Sequence, residues 1–256
     1  MSKKIVTISN YVVLETYRSR FFLLVFFIVV VCFLIGLFAR DVSITESSTI
    51  NVAFSAALLR LCVIFSIALL VVTSITKEFH DQTMNFVLAT DTTRFEYYMG
   101  KFLGFTSVSA IVVFLVSICL FLISPMEQVL LWSTSMYLEI LIVISFTLLC
   151  STILNHLPIV VFAVIGFYLL SRSIDSFVLI SQSPTIIENT MSEHYVASLI
   201  SIISLMLPKL SAFSNTSWLV YDTGSLSALI PQFVQTVLYS SLVIFVGLID
   251  FYRKKL

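Results

Sequence analysis

The chain has 256 residues, of which 59% are hydrophobic and 11% are charged, and its mean hydropathy is +1.07. Soluble globular domains carry about 25% charged residues, so this composition excludes an ordinary soluble domain and indicates a surface that faces lipid. Lys plus Arg and Asp plus Glu number 14 each, so the chain lacks the basic excess of a nucleic-acid-binding protein.

Residues 1–20 have the apolar spacing of an amphipathic helix. Ile5, Ile8 and Val12 share one helical face, and basic residues flank this stripe on both sides: Lys3, Lys4, Arg18 and Arg20. Apolar stripes with basic flanks are typical of helices that lie along a membrane interface. We therefore predict an interfacial helix over 1–20 that contacts membrane lipids. A poorly ordered leader is the alternative.

Six later segments are long and apolar enough to cross a membrane, which takes about 20 residues. They are 21–39, 52–75, 102–123, 129–151, 157–180 and 231–250. The first is long and lacks a small-residue cleavage site, so it is interpreted as a retained helix. A seventh run, 195–207, is shorter and closed by Pro208, which favours a re-entrant or interfacial helix within the segment 181–230. The prediction is an all-α integral membrane protein with one transmembrane domain over 1–256.

The distribution of basic residues predicts the orientation, because they concentrate on the cytoplasmic side of membrane proteins. Only Arg40 and Lys209 fall on the side opposite the termini. The other side holds a larger set: Lys3, Lys4, Arg18, Arg20, Lys77, Arg94, Lys101, Arg253, Lys254 and Lys255. Both termini are therefore expected in the cytoplasm, with 181–230 on the outer side.

The segment 76–101, between spans two and three, is polar and has helical spacing. Its polar residues share one helical side (Lys77, Glu78, Asp81, Gln82 and Asn85), and its apolar residues share another (Phe79, Phe86 and Val87). The short polar residues 90–93 suit a turn and a helix N-cap. A second short helix is expected from Arg94, with Phe95, Tyr97, Tyr98 and Met99 towards the membrane. Gly100 and Gly104 have the spacing of a close helix approach. A solvated loop is the alternative.

Four charged residues lie in the outer half of the predicted spans, where charge is costly and usually functional. Arg60, Glu139 and Arg172 lie about 12–15 Å below the outer ends of their spans, and Asp175 is one turn from Arg172 on the same face. These residues either line an outer substrate pathway or form two structural ion pairs, Arg60–Glu139 and Arg172–Asp175. Both interpretations stay open.

Catalytic and metal-binding patterns are missing from the sequence. The four cysteines lie far apart in apolar segments without a CxxC pair, so they are interpreted as buried apolar residues. The three histidines share no ligand spacing, and there is no GxSxG motif. No GxxxxGK[ST] phosphate loop is present. We predict no catalytic residue, no metal, no bound cofactor and no enzymatic activity for this chain.

Several motifs together resemble the type-two ABC exporter permease family. They are Glu15-Thr16-Tyr17-Arg18-Ser19-Arg20, Lys77-Glu78-Phe79, Gln82-Thr83, Val87-Leu88, Arg94, Tyr97-Tyr98, Gly100-Lys101-Phe102-Leu103-Gly104 and Leu207-Pro208-Lys209-Leu210-Ser211-Ala212-Phe213. The six predicted spans and the long outer segment 181–230 also resemble the architecture of that family. Two positions depart from the family pattern, because Gln82 stands where the family often has Gly and Asp91 where it often has Pro.

The resemblance implies a membrane-spanning permease subunit in a bacterial inner membrane. A coupling helix would contact a separate ATP-binding subunit through these residues: Lys77, Glu78, Phe79, His80, Asp81, Gln82, Thr83 and Met84. Two ATP-binding subunits would carry ATP and Mg²⁺, and a second permease copy would complete a homodimer. One branch of the family serves nitrous-oxide-reductase maturation. Resemblance to that branch implies a soluble partner on the outer side of the membrane. A non-transporting anchor or assembly scaffold is the alternative function.

Overall fold

The computed structural model describes residues 2–42, 47–84, 87, 92–122, 124–154, 156–181 and 191–253. The helices with described bounds are α1 (Ser2–Arg18), α2 (Phe21–Val42), α3 (Ser47–His80), α4 (Arg94–Leu120), α5 (Met126–Ile153), α6 (Leu157–Ser181), α7 (Met191–Met206), α8 (Ser217–Tyr221) and α9 (Leu226–Arg253). Thr83, Met84 and Val87, between α3 and α4, are also helical. A 3-10 turn, Leu210–Phe213, lies between α7 and α8. The described residues contain no β-strand.

Six of these helices, α2 to α6 and α9, are long and apolar enough to cross a membrane. The prediction of an all-α integral membrane protein is thereby confirmed. The six helices run alternately up and down. One end of the bundle, here the terminal end, holds the start of α2, the end of α9 and the α3–α4 connection. The other, here the loop end, holds the α7–α8 segment.

Helix α5 forms the centre of the bundle. In its spanning window 72% of the residues are buried, against 28% for α2 and for α9. It packs against α3, α4, α6 and α9. Stacked aromatic rings join α5, α6 and α9. The ring centroid of Phe167 in α6 lies 3.8 Å from that of Phe146 in α5 and 6.1 Å from that of Tyr239 in α9. The residues of α5 are therefore placed to contact groups from most other spans.

The segment near Arg94 differs from the predicted short helix because it is continuous with the third span. Helix α4 begins at Arg94 and runs to Leu120 without a break. Thr93 is its N-cap, as the polar run 90–93 indicated, and it forms a capping box with Glu96. This cap fixes the start of α4 well before the apolar run, because it satisfies backbone groups that the first turn leaves unpaired.

The chain bends sharply after α7, where the sequence predicted a re-entrant or interfacial helix. The helical part Ser198–Met206 and the segment Leu210–Tyr221 meet at 56°. Pro208 lies at this break. Proline cannot donate the backbone hydrogen bond that would continue a helix, so it favours a break at this position. Residues 182–190 of the predicted outer segment lie outside the described residues.

Gly100 and Gly104 allow α1 to approach α4 closely. A Cβ atom added at Gly100 would lie 2.7 Å from Cβ of Ile8, and one at Gly104 would lie 2.7 Å from Cβ of Val12. The close approach predicted from the Gly-x-x-x-Gly spacing is present, and its partner is the amphipathic stripe of α1. The N-terminal helix is thus fixed to the terminal end of the bundle.

Replacing Gly104 with Leu is expected to lower the free energy of unfolding by about 1–3 kcal/mol, the usual cost of overpacking. The new side chain would overlap Val12 and force α1 away from α4. Thermal unfolding in mild detergent measures the loss, and proteolysis within residues 1–18 reports whether α1 has separated. Gly166→Leu is the matched control, because nothing lies within 4 Å of its added Cβ. Equal melting temperatures for both variants would contradict this packing.

Candidate functional site

The predicted coupling helix Lys77–Met84 is interrupted by a turn at Asp81 and Gln82, after which Thr83 and Met84 are helical again. Its first four residues form the last turn of α3, which ends at His80. Gln82 then adopts a left-handed backbone with φ 53°, and the chain turns there. The exposed side chains of this turn are Lys77, His80, Asp81, Gln82 and Thr83, and we name this set the α3 turn. Asn85, Leu88 and Asp91 lie outside the described residues.

Three predicted contact residues face away from solvent. Glu78 and Met84 are buried and Phe79 is half-buried. Glu78 forms an ion pair with Lys101 of α4 and accepts a hydrogen bond from the Tyr97 hydroxyl. Met84 packs in a small cluster with Tyr97 and Phe251. Glu78 and Met84 therefore belong to the support beneath the α3 turn.

The buried Glu78–Lys101 pair joins three helices at the terminal end. Lys101 Nζ lies 5.6 Å from the Tyr11 ring of α1 and 5.9 Å from the Tyr97 ring, both within cation–π range. Arg94 donates to the backbone oxygens of Phe251 and Tyr252, which ties α4 to the end of α9. Sequence reasoning placed Tyr97 towards the membrane and assigned Lys101 no ion-pair partner. The four-residue spacing of Tyr97 and Lys101 was the available signal.

Glu15 of α1 lies near the Glu78–Lys101 pair, and burial disfavours the ionised form of its carboxyl group. Burial, and then the charge of Glu78, raise the pKa of Glu15 above its ordinary value of 4.5, while Lys101 and Lys77 oppose the shift. Its Oε2 atom is buried and has no hydrogen-bond partner in the described part of the chain. The folded state therefore binds the Glu15 proton more tightly than the unfolded state does.

Because the folded pKa of Glu15 is raised, its contribution to stability is present below about pH 4.5 and is lost as the pH rises through the folded pKa. Glu15→Gln mimics the protonated form, so we expect it to raise the melting temperature at about pH 8. The gain should shrink as the pH is lowered. Glu127→Gln, at an exposed carboxylate, is the control. A variant less stable than wild type at every pH would contradict this assignment.

A second cluster of polar groups lies inside the bundle, towards the loop end. Arg60 Nε and Glu139 Oε2 are 2.6 Å apart, and both side chains are fully buried. Tyr168 donates to Glu139 Oε1 at 3.1 Å. Arg172 Nη1 donates to Tyr168 at 2.8 Å and lies 3.8 Å from Glu139 Oε1. We name Arg60, Glu139, Tyr168 and Arg172 the inner charge network.

The pair Arg60–Glu139, one of the two predicted ion pairs, is present, but Arg172–Asp175 is not. Asp175 instead lies 3.7 Å from Lys209 Nζ and accepts a hydrogen bond from Ser211. Arg172 turns towards Tyr168, one turn earlier on its own helix, and so towards Glu139. Asp175 therefore fastens the 3-10 turn to α6 and is separate from the inner charge network.

The sequence reading missed Ser135, Trp132 and Tyr168. Ser135 accepts a hydrogen bond from Arg60 Nη2 at 3.3 Å and donates to the Phe213 backbone oxygen at 2.5 Å. The Arg60 guanidinium carbon is 5.0 Å from the centre of the Trp132 ring. Trp132, Ser135 and Glu139 share one face of α5 by spacing alone, which was the signal that could have grouped them.

Neither cluster has the composition of a metal centre. Among the residues that the structure describes, no three His, Cys, Asp or Glu side chains come together as a group that could hold a metal ion. The four cysteines are free thiols.

Comparison with known proteins does not identify the chemistry of either cluster. No protein-family model matches the sequence, and no curated protein matches it. What the molecule itself shows is an integral membrane protein with six candidate spans and two buried charge clusters, one beneath the α3 turn and one near the loop end.

Proposed function

We propose that this chain is the membrane-spanning permease subunit of an ATP-driven exporter-type complex, and that the α3 turn docks on a separate ATP-binding subunit. The observation that carries the proposal is the exposed turn braced from inside by the buried Glu78–Lys101 pair. A turn held in this way is rigidly connected to α3 and α4, so a force applied to it would move both spans.

The backbone at Gln82 supports the resemblance to the type-two ABC exporter permeases. The family often has glycine at this position, and Gln82 adopts φ 53°, where glycine is favoured. The turn therefore has a conformation that suits the family residue although the residue itself differs. The agreement concerns the shape of the docking segment.

Replacing Gln82 with Gly is expected to stabilise the protein by about 1 kcal/mol, because a left-handed conformation costs a non-glycine residue about 1–2 kcal/mol. The flexibility of glycine in the unfolded chain offsets part of this gain. The neighbouring change Thr83→Gly, at a residue without positive φ, is the control and should give no gain. Thermal unfolding in detergent compares them. A loss of stability with Gln82→Gly would contradict the conformation of the turn.

In this proposal two copies of the chain pair in the membrane and two ATP-binding subunits lie beneath them. The missing phosphate loop in the sequence supports placing ATP and Mg²⁺ on other chains. The spans α2 and α9 are the least buried within one chain, with 28% of their windows buried, and they offer apolar faces to lipid or to the second copy. The basic residues near the termini support a cytoplasmic location for the α3 turn.

A membrane anchor or assembly scaffold is the second candidate. It is favoured by the inner charge network, in which Arg60 and Glu139 are fully buried and tie spans together. Buried ion pairs of this kind suit a bundle that keeps one arrangement. A scaffold would bind a partner and would not change the rate of ATP hydrolysis by that partner.

The experiment that separates the two candidates is purification of the tagged chain in mild detergent from the cells that make it. The eluate is assayed for ATP hydrolysis and its proteins are identified by mass spectrometry. A co-purifying chain with a phosphate loop, whose ATP hydrolysis depends on the permease, would support the proposal. A stable partner without ATPase activity would support the scaffold.

A further inference from the structure

Two nitrogen hydrogen-bond donors near the loop end are buried and have no acceptor among the described residues. They are Arg60 Nη1 and Trp132 Nε1. Both side chains have 0% exposure, and the guanidinium lies over the indole ring. An unpaired donor in such a place is costly, so a group that accepts hydrogen bonds would be bound strongly there.

The network around these donors carries more positive than negative charge. The inner charge network itself holds two guanidinium groups, Arg60 and Arg172, and one carboxylate, Glu139. Glu139 already serves both Arg60 and Arg172. An additional anion would therefore be attracted, and the apolar interior around it would screen the attraction weakly.

We propose that Arg60 and Trp132 bind the anionic headgroup of an amphiphilic molecule, a phosphate or a carboxylate, with Arg172 supplying the second positive charge. Arg60 suits this role because its planar guanidinium offers several donors in a fixed geometry, of which Nε and Nη2 are used within the protein and Nη1 is not. That this molecule is the exported substrate rests on the proposed function. That the site binds an anion does not.

The segment Leu210–Tyr221 covers this site. The Phe213 backbone oxygen accepts from Ser135, which in turn accepts from Arg60, so the cover and the cation share one chain of hydrogen bonds. Gln232 donates to the Ala212 oxygen at 2.9 Å, and Ser211 donates to Asp175. Entry of a headgroup requires this cover to separate from α5 and α6, so binding changes the surroundings of Trp218.

An apolar cleft beside the network suits part of an alkyl chain. It lies between α3 and α6 and is lined by Phe65, Ala68, Leu69, Val72, Val161, Val164 and Ile165. Phe65 also packs on Tyr168, with ring centres 5.3 Å apart, and Tyr168 donates to Glu139. The cleft has a volume of about 60 Å³, less than the roughly 150 Å³ of an engineered cavity that holds benzene, so it suits a slim chain.

The test is a binding titration of the purified chain in dodecyl maltoside, a detergent without phosphate. The chain has two tryptophans, so Trp218→Phe leaves Trp132 as the single fluorescent reporter. Dodecyl phosphate is the probe, inorganic phosphate is the headgroup alone, and dodecanol is the chain alone. We expect a saturable change in Trp132 emission with dodecyl phosphate, weaker binding of inorganic phosphate and no response to dodecanol.

Three variants identify the binding residues, and calorimetry measures dodecyl phosphate binding to each. Arg60→Lys keeps the charge but loses the planar fork, and Trp132→Phe keeps the ring but loses the donor. Each is expected to weaken binding about tenfold, a loss typical of a hydrogen bond to a charged group. Arg172→Gln should also weaken binding. Arg253→Gln, at an exposed cation of the terminal end, is the matched control and should bind as wild type does.

The proposal is overturned if the folded protein shows no saturable binding of dodecyl phosphate. It is also overturned if Trp132→Phe binds dodecyl phosphate with unchanged affinity. The Trp132→Phe result still decides the question if Arg60→Lys does not fold. Equal affinity for inorganic phosphate and dodecyl phosphate would overturn the assignment to an amphiphile. The titration contains no ATP-binding subunit, so its failure is distinct from failure of the permease proposal.

Discussion

Replacing Glu139 with Gln is expected to lower the free energy of unfolding by about 3–5 kcal/mol, the cost of breaking a buried ion pair by removing one partner. Glu139 is the only carboxylate within ion-pair distance of Arg60 and Arg172 among the described residues. Its neutralisation would leave Arg60 charged in the centre of the bundle. We expect low yield of folded protein and a large fall in melting temperature.

Glu127→Gln is the matched control for this result, because Glu127 is an exposed carboxylate in the first turn of the same helix. The double variant Arg60→Met/Glu139→Met should recover much of the lost stability, since well-packed apolar residues often replace a buried ion pair without loss. If Glu139→Gln folds with an unchanged melting temperature but abolishes ATP-dependent activity, these charges line a pathway and do not brace the bundle.

Replacing Lys101 with Met is the second large effect, and it should also lower the free energy of unfolding by about 3–5 kcal/mol. Lys101 pairs with Glu78, and it is one of the two lysines whose charge opposes the raised pKa of Glu15. Without Lys101, the buried Glu78 would keep only the Tyr97 hydroxyl as a described partner. We expect α1, α3 and α4 to loosen together at the terminal end.

The control for Lys101→Met is Lys77→Met, which removes an exposed lysine one residue from Glu78 and should change stability by less than about 0.5 kcal/mol. Hydrogen exchange in α1 gives a second reading, because loss of the brace should speed exchange in residues 2–18. Lys101→Met with wild-type stability and wild-type exchange would show that the buried pair does not hold these helices.

Much of the architecture could be predicted because it depends on local sequence. Apolar runs of spanning length give the six spans, Pro208 gives the break after α7, and Thr93 gives the cap of α4. The Gly100-x-x-x-Gly104 spacing gives a close helix approach because it needs only the absence of side chains on one face. These features arise within one or two turns of helix.

The long-range partners could not be predicted in the same way. Helical spacing shows which residues share a face but not which helix meets that face, so α1 as the partner of Gly100 and Gly104 was not foreseen. In spans that are apolar on all sides, periodicity also separates inner from lipid-facing positions poorly. Tyr97 was therefore placed towards the membrane, and Asp175 was paired with its helical neighbour although Lys209 is its partner.

The structure also determines how docking at the α3 turn can be tested. A charge reversal at Glu78 would break the buried pair with Lys101, so loss of a partner would only report misfolding. Asp81 is exposed in the same turn and is free of that difficulty. Glu127, exposed at the loop end, allows an identical charge reversal on the opposite side of the bundle.

The most direct test of the central claim is therefore the ATP-hydrolysing activity that co-purifies with Asp81→Arg and with Glu127→Arg, each compared with wild type at equal amounts of folded permease. The permease account predicts that Asp81→Arg loses the ATP-binding subunit while its melting temperature is unchanged, and that Glu127→Arg retains it. Retention of the same ATPase activity by both variants, or its absence from wild type, would contradict the account.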